Sequence, residues 1–445
     1  MNTKWLAINH DFLRIELAQL KDEGRDTADL ESEFQAWLVR SPEELEAAQP
    51  ALNALLDRAA ARPFRPEAEG REPSDLASIR SLRSAPVSLP PASGDAKGRA
   101  DRLLGAWLGR CCGCLLGKPV EGWLRDRLHG YLKETGRYPL AGYLRSDFDP
   151  ALLERYQVKP SAPFINRVDR MVADDDTNYT VLGLVILEER GFEFTPIDVA
   201  DAWLRRLPLL CACTAERIAY RNFANLVLPP ASAAFRNPFR EWIGAQIRAD
   251  IYGYVNPGRP KRAAELAWRD ASVSHTGNGI YGAMWVAAML AAAAVLDDPA
   301  EIIRAGLRQV PAASRLTEAV SEVFEWRRQG LDLEAAIGRL HARWDESFSH
   351  HWCHVLSNAQ AVALGLLWGE RDFGRSVCAA VQAVFDTDCN GATVGSILGM
   401  MLGAGRLPAE WTGPLHDTLE TRLSGFHLLR ISELAERTLK LESTV

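Results

Sequence analysis

The sequence is short of features that would assign its class at once. It has no pair of Cys-x-x-Cys knuckles. Its eight cysteines, Cys111, Cys112, Cys114, Cys211, Cys213, Cys353, Cys378 and Cys389, are scattered, which argues against a zinc ribbon. No apolar run reaches the roughly 20 residues a membrane span needs. The most apolar stretch, residues 282–296, reads as a buried helix instead. Positive charge is not in excess. The 51 Lys and Arg face 58 Asp and Glu, a net charge of −7, so no nucleic-acid partner is expected. The opening residues, Met1 to Leu6, lack the continuous apolar core of a signal peptide. The expectation is a soluble, cytoplasmic chain with free thiols and no membrane partner. Alternating strand patterns are also missing, which leaves helices.

What is present is ordinary globular composition. With 445 residues, 47% hydrophobic and 24% charged, the chain can build one large core plus an appendage. Residues 1–61 read as a helical N-terminal extension. Asp11 to Leu20 and Ser32 to Val39 are amphipathic. Ser41 reads as an N-cap before Pro42, opening a helix to about Ala61. Residues 62–97 change character, with Pro63, Pro66, Pro73, Pro86, Pro90 and Pro91 marking a linker or arm. Residues 98–445 read as one all-α domain. Helical spacing runs through Ala100 to Leu116, Thr177 to Glu189, Gly279 to Leu296, Asn358 to Trp368, Arg375 to Phe385, Thr393 to Gly403 and Pro414 to Leu419.

Two acidic turns stand out from this background: Asp174-Asp175-Asp176-Thr177 and Asp386-Thr387-Asp388-Cys389-Asn390. Both are embedded in apolar sequence. Any single Asp at a helix start is explained by capping and the helix dipole, worth about 0.3–1 kcal/mol. Three consecutive carboxylates exceed that need. Carboxylates crowded beside Val, Leu and Ala repel one another unless a positive charge sits among them. The simplest neutraliser is a divalent cation on hard oxygen ligands. A third segment, Gly105 to Glu121, is a glycine-spaced helix ending at Gly117 and Pro119, with Glu121 just beyond.

These motifs, in this order, resemble those of the ADP-ribosylglycohydrolase family. Gly109 to Glu121 is similar to the family's glycine-rich first helix and its following glutamate. Asp175-Asp176-Thr177 matches its Asp-Asp-Thr turn, and Asp386-Thr387-Asp388 its Asp-x-Asp signature. Ser274 to Gly282 resembles a helix start bearing a ligand-contacting histidine, His275. The resemblance implies a compact orthogonal all-α bundle with two magnesium ions, manganese being an alternative. It implies hydrolysis of the glycosidic bond at the ribose anomeric carbon of an ADP-ribosyl or related riboside. On this reading Asp175, Asp176, Asp386 and Asp388 are metal ligands. Asp174 and Cys389 stand where the family has threonine, so Asp174 offers a carboxylate and Cys389 a thiol too soft for magnesium. Glu121, Asp176 and Asp388 are the candidate catalytic residues. The first motif has Gly113-Cys114 in place of the family's Gly-Asp.

Substrate contacts are expected from His275 and from Asn278, Gly279 and Tyr281, which open a helix whose amides suit a phosphate. By the same resemblance Gly244 and Gln246 line the adenosine-diphosphate side, beside Trp242. His354 either meets a leaving group or caps its helix. His350 and His354 also have a zinc-compatible spacing, without the Glu of a metalloprotease motif. Two other functions use the same residues. One is an ADP-ribose- or nucleotide-binding module with weakened catalysis, favoured by the departures at Asp174 and Cys389. The other is a two-metal phosphohydrolase.

Overall fold

A computed structural model describes residues 6–85, 89–91 and 95–442. Met1 to Trp5, residues 86–88 and 92–94 of the proline-rich stretch, and residues 443–445 lie outside the described residues. The architecture is all-α. Among the described residues the only sheet is two-stranded, Thr418–Glu420 paired antiparallel with Leu428–Arg430.

The organising contact is a pair of glycine-spaced helices, Ala96–Gly117 and Thr387–Leu402. The first is capped by the Asp95 side chain, which accepts from the Gly98 amide at 2.8 Å. Glycines at every fourth position share one helix face. Gly105, Gly109 and Gly113 face Gly399, Gly395 and Gly391 so closely that a Cβ on any of them would overlap the opposing backbone. The order of the pairs makes the helices antiparallel. The end of the first therefore meets the start of the second, and the Thr387 hydroxyl donates to the Gly117 carbonyl at 2.9 Å.

Around this pair lie Asp175–Arg190, Gly277–Ala293, Val355–Trp368 and Phe373–Gln382. Every residue of Gly277–Ala293 is buried, as expected of an apolar helix inside a protein core. No helix among the described residues is long and apolar enough to cross a membrane.

Residues 10–60 form four helices with their own small core of Leu13, Leu20, Phe34, Leu52 and Leu55. Ile15 looks the other way, into an apolar cluster with Trp242, Ile247, Cys353 and Cys389. Polar links fix the contact. Arg240 pairs with Glu16 at 2.8 Å and Glu23 at 2.6 Å, and His350 meets Asp22 at 3.0 Å. Further along, the Trp268 indole donates to the Ser74 carbonyl at 2.8 Å, and Arg315 pairs with Glu72 at 2.7 Å.

Two expected helices differ. The one expected from Ser41 to Ala61 is two, Pro42–Ala47 and Gln49–Ala60. Ser41 and Glu44 do form a capping box, but Pro50 has no N–H to continue the ladder and the chain bends at Ala48. Pro414 to Leu419 is not a helix. His416 and Asp417 take left-handed φ of 46° and 52°, which ends the turn, and Leu419 enters the small sheet.

Candidate metal centre

The antiparallel glycine pair sets the 3-10 turn Lys118–Val120 and Glu121 against the start of the Thr387–Leu402 helix. The Asp175–Arg190 helix starts beside them. Lys118 Nζ lies 2.6 Å from Asp174 Oδ2, 2.7 Å from Glu121 Oε2 and 3.2 Å from Asp388 Oδ2. One ammonium thus joins all three motifs.

The two acidic turns use their first Asp differently. Asp174 caps its helix, its Oδ1 accepting from the Asp176 amide at 2.9 Å. Asp386 holds the corresponding position on Thr387–Leu402 but makes no side-chain cap bond. Its carboxylate is left for another partner. Val384 and Phe385, just before it, have φ of 68° and 58°. Such backbone is costly for a β-branched residue and concentrates at functional sites. The Asn358 side-chain oxygen holds the turn, accepting from the Asp386 amide at 3.1 Å and from Asn390 Nδ2 at 2.8 Å.

Asp176 is fully buried. Arg110 Nη2 lies 3.1 Å from its Oδ1, and Arg110 Nη1 lies 3.0 Å from Asp250. Asp176 Oδ2 and Asp388 Oδ1 are buried oxygens with no hydrogen-bond partner. Each carboxylate therefore spends one oxygen on a cationic side chain and presents the other unpaired.

Titration follows this arrangement. Burial raises the Asp175, Asp176 and Asp386 carboxyls well above the usual range, and the charges of neighbouring carboxylates, Asp388 among them, add to the effect. Burial acts on Asp174 too, but Lys118 outweighs it and holds the group low. Lys118 is disfavoured by burial and stabilised more strongly by Asp388, Asp174 and Glu121, so it keeps its proton. The Asp388 charge, with burial, pushes Glu121 up to about 7 against the pull of Lys118. The Glu121 side chain is 42% exposed and forms the solvent-facing edge of the group.

The donor set suits a hard cation. Atoms of Cys114, Asp174, Asp176 and Asp388 lie within 4.8 Å of one another, and so do those of Asp386, Asp388 and Cys389. The two groups share Asp388. Burial and the surrounding carboxylates raise the Cys114 and Cys389 thiols, which stay protonated and leave the oxygens as the donors.

The other expected contacts fall elsewhere. The helix start at Gly277 is not free for phosphate, because Glu241 Oε1 accepts from the Asn278 amide at 2.8 Å and from Asn278 Nδ2 at 3.0 Å. The Tyr281 hydroxyl donates to the Pro73 carbonyl at 2.5 Å. Gly279 and Gly244 are packing glycines; a Cβ would strike the Arg240 carbonyl in one case and the Glu216 carboxylate in the other. Gln246 is fully buried with both amide atoms unpartnered. His275 is buried, with Nδ1 on the Ser274 hydroxyl at 2.8 Å and Nε2 unpartnered. His354 caps Val355–Trp368, its Nδ1 accepting from the Leu356 amide at 3.2 Å.

The zinc-compatible spacing does bring His350 and His354 together, with Asp22, their ligand atoms within 4.8 Å of one another, but hydrogen bonding at both Nδ1 atoms opposes a zinc ion there. His350 Nδ1 accepts from the Trp242 indole at 3.0 Å. Both rings therefore carry their proton on Nε2, the atoms that point toward Asp22 and Glu241. Protonated nitrogens do not bind zinc.

Three residues had no role in the sequence reading. Lys118 lies three positions before Glu121, and Arg110 is a charge inside an otherwise apolar glycine helix; both signals were in the sequence. Asn358 had none.

Comparison with known proteins agrees with the motif order. A family model described as ADP-ribosylglycohydrolase matches residues 95–444. The chain belongs to the ADP-ribosylglycohydrolase family. Family membership supports a glycohydrolase role. One solved structure, titled an ADP-ribosylglycohydrolase-related protein complex, is 22% identical with a TM-score of 0.44. The match covers 78% of this chain and 99% of that one. No curated protein matches significantly.

Proposed function

We propose that this family member is a divalent-metal-dependent glycohydrolase that cleaves the bond at the anomeric carbon of a riboside. The observation that carries the reading is the pair of buried, unpartnered oxygens, Asp176 Oδ2 and Asp388 Oδ1, beside a half-exposed Glu121. When bound, a magnesium or manganese ion would supply a Lewis acid for sugar hydroxyls and water, held by Asp174, Asp175, Asp176, Asp386 and Asp388.

The chain's own residues account for the rest. Glu121 stands at the solvent-facing edge of the carboxylate group, placed to take a proton from the attacking water and return one to the leaving group. The C1–leaving-group bond breaks, the water oxygen joins C1, and the carboxylates face the oxocarbenium-like charge that develops between those events. Lys118 holds Glu121 in place from the protein side.

The substrate is an ADP-ribosyl compound or a smaller riboside, and any phosphate it carries lies away from the helix start at Asn278. Glu241, buried and held well below the usual carboxylate range by Arg315 despite its burial, fills the helix start at Asn278 with negative charge. A phosphate there would meet its like.

The test is free-sugar release from a panel of phosphate-free ribosides and ADP-ribosyl compounds, with and without chelator, on the wild type and Asp386→Ala. Release from an ADP-ribosyl compound or a smaller riboside, abolished by chelator and by the substitution, is expected. Full turnover in excess chelator would contradict the metal dependence. Ligand binding with no turnover would favour a binding module, and phosphate release without sugar release a phosphohydrolase.

A further inference from the structure

We propose that Lys118 is a resident cation that fills one of the two carboxylate seats, so that the centre takes one divalent ion beside it rather than two. This rests on the metal-dependent reading above. The two seats are Cys114, Asp174, Asp176 and Asp388 on one side, and Asp386, Asp388 and Cys389 on the other. Lys118 belongs to the first. Its ammonium has three N–H donors, and three carboxylates stand within 3.2 Å of it: Asp174, Glu121 and Asp388. A compact point charge on a flexible stem is the side chain best able to imitate a metal ion there.

The placement is built into the fold. Lys118 follows Gly117 directly, and a Cβ on Gly117 would overlap the Thr387 carbonyl. The next residues, Pro119 and Val120, are buried and fix the turn. The ammonium side chain is only 23% exposed. A divalent ion entering the first seat would have to displace it from three partners at once.

The second seat is different. Asp386 lies with Asp388 and Cys389, ligand atoms within 4.8 Å of one another, and its Oδ2 accepts from the Cys353 thiol at 3.9 Å. Asp388 Oδ1, fully buried, has no partner. Asp388 thus gives Oδ2 to the ammonium and keeps Oδ1, on its other side, without a partner. The geometry points to that side as the place for the ion.

The experiment counts manganese on the full chain by equilibrium dialysis and reads its electron paramagnetic resonance, for the wild type, Lys118→Met and Asp386→Asn. The wild type is expected to hold one ion with the spectrum of an isolated centre. Lys118→Met is expected to hold two, with a spectrum showing exchange coupling. Asp386→Asn is expected to lose the single ion, which keeps the test decisive if Lys118→Met does not fold. Two ions on the wild type, or one retained by Asp386→Asn, would overturn the assignment while leaving metal dependence standing. No ion on the wild type or on Lys118→Met would overturn both.

Discussion

The Thr387 hydroxyl donates to the Gly117 carbonyl across 2.9 Å, tying together residues 270 positions apart. That bond closes the antiparallel glycine pair at the end where chemistry is expected. It places Lys118 and Glu121 on one side of the joint and Asp386 and Asp388 on the other. Perturbing the joint, or the charges it gathers, has measurable consequences.

Gly395→Ala should disturb both the fold and the centre. Its Cβ would overlap the Gly109 carbonyl, which is backbone and cannot swing away. Overpacking of this kind costs about 1–3 kcal/mol. Thermal unfolding should show a lower midpoint, and manganese titration a weaker site. Gly98→Ala is the control, because its Cβ meets only Asp95 Oδ1 at 3.4 Å; no loss is expected.

Arg110→Met should be among the most damaging single changes. Arg110 is fully buried between Asp176 and Asp250 and also donates to the Ile247 carbonyl. Removing one member of a buried ionic group leaves uncompensated charge, at a cost of about 3–5 kcal/mol. Adding Asp250→Asn should restore part of the loss in denaturant unfolding. Equal stability of single and double variants would refute the pairing.

Glu121→Gln should separate catalysis from folding. The side chain is 42% exposed, so in the presence of manganese the midpoint of thermal unfolding should barely move. Sugar release should fall by roughly 10²–10⁴, the usual worth of general acid–base help. A kcat within a factor of two of the wild type would remove Glu121 from the proton-transfer role.

In metal-free protein the acidic centre should destabilise the fold increasingly as pH rises toward neutrality. Glu121 titrates at about 7 in the folded chain, above its ordinary value of 4.5. Asp175, Asp176 and Asp386 are raised in the same sense. His129, His275, His341, His351 and His354, all lowered by burial, act in the opposite sense. At the carboxyls the folded state therefore holds more protons than the unfolded one. The stabilisation is full below the unfolded values and is lost as pH climbs through the folded ones. In chelator, the midpoint of Glu121→Gln should therefore gain on that of the wild type between about pH 5 and pH 7. Manganese should raise the midpoint most at the upper end.

Much of this was legible along the chain. The glycine spacing of Gly391, Gly395, Gly399 and Gly403, the two acidic turns and the order of the three motifs are local patterns, and they led to the family and the all-α class. The helix boundaries that slipped did so for local reasons as well: Pro50 breaks a ladder, and two left-handed residues end a turn. The Glu241 contact at Asn278 was not legible for another reason. A helix start has the same sequence whether a ligand or Glu241 occupies it.

By itself the sequence determined that carboxylates would be crowded in an apolar setting, because charge and hydropathy are properties of the residues. Only the tertiary structure decided what neutralises them. Which cation meets which carboxylate depends on how close two helices approach, and here paired glycines bring Lys118 to Asp388 and Arg110 to Asp176. Whether a carboxylate caps its helix, as Asp174 does, or leaves it uncapped, as Asp386 does, depends on backbone angles that no composition records.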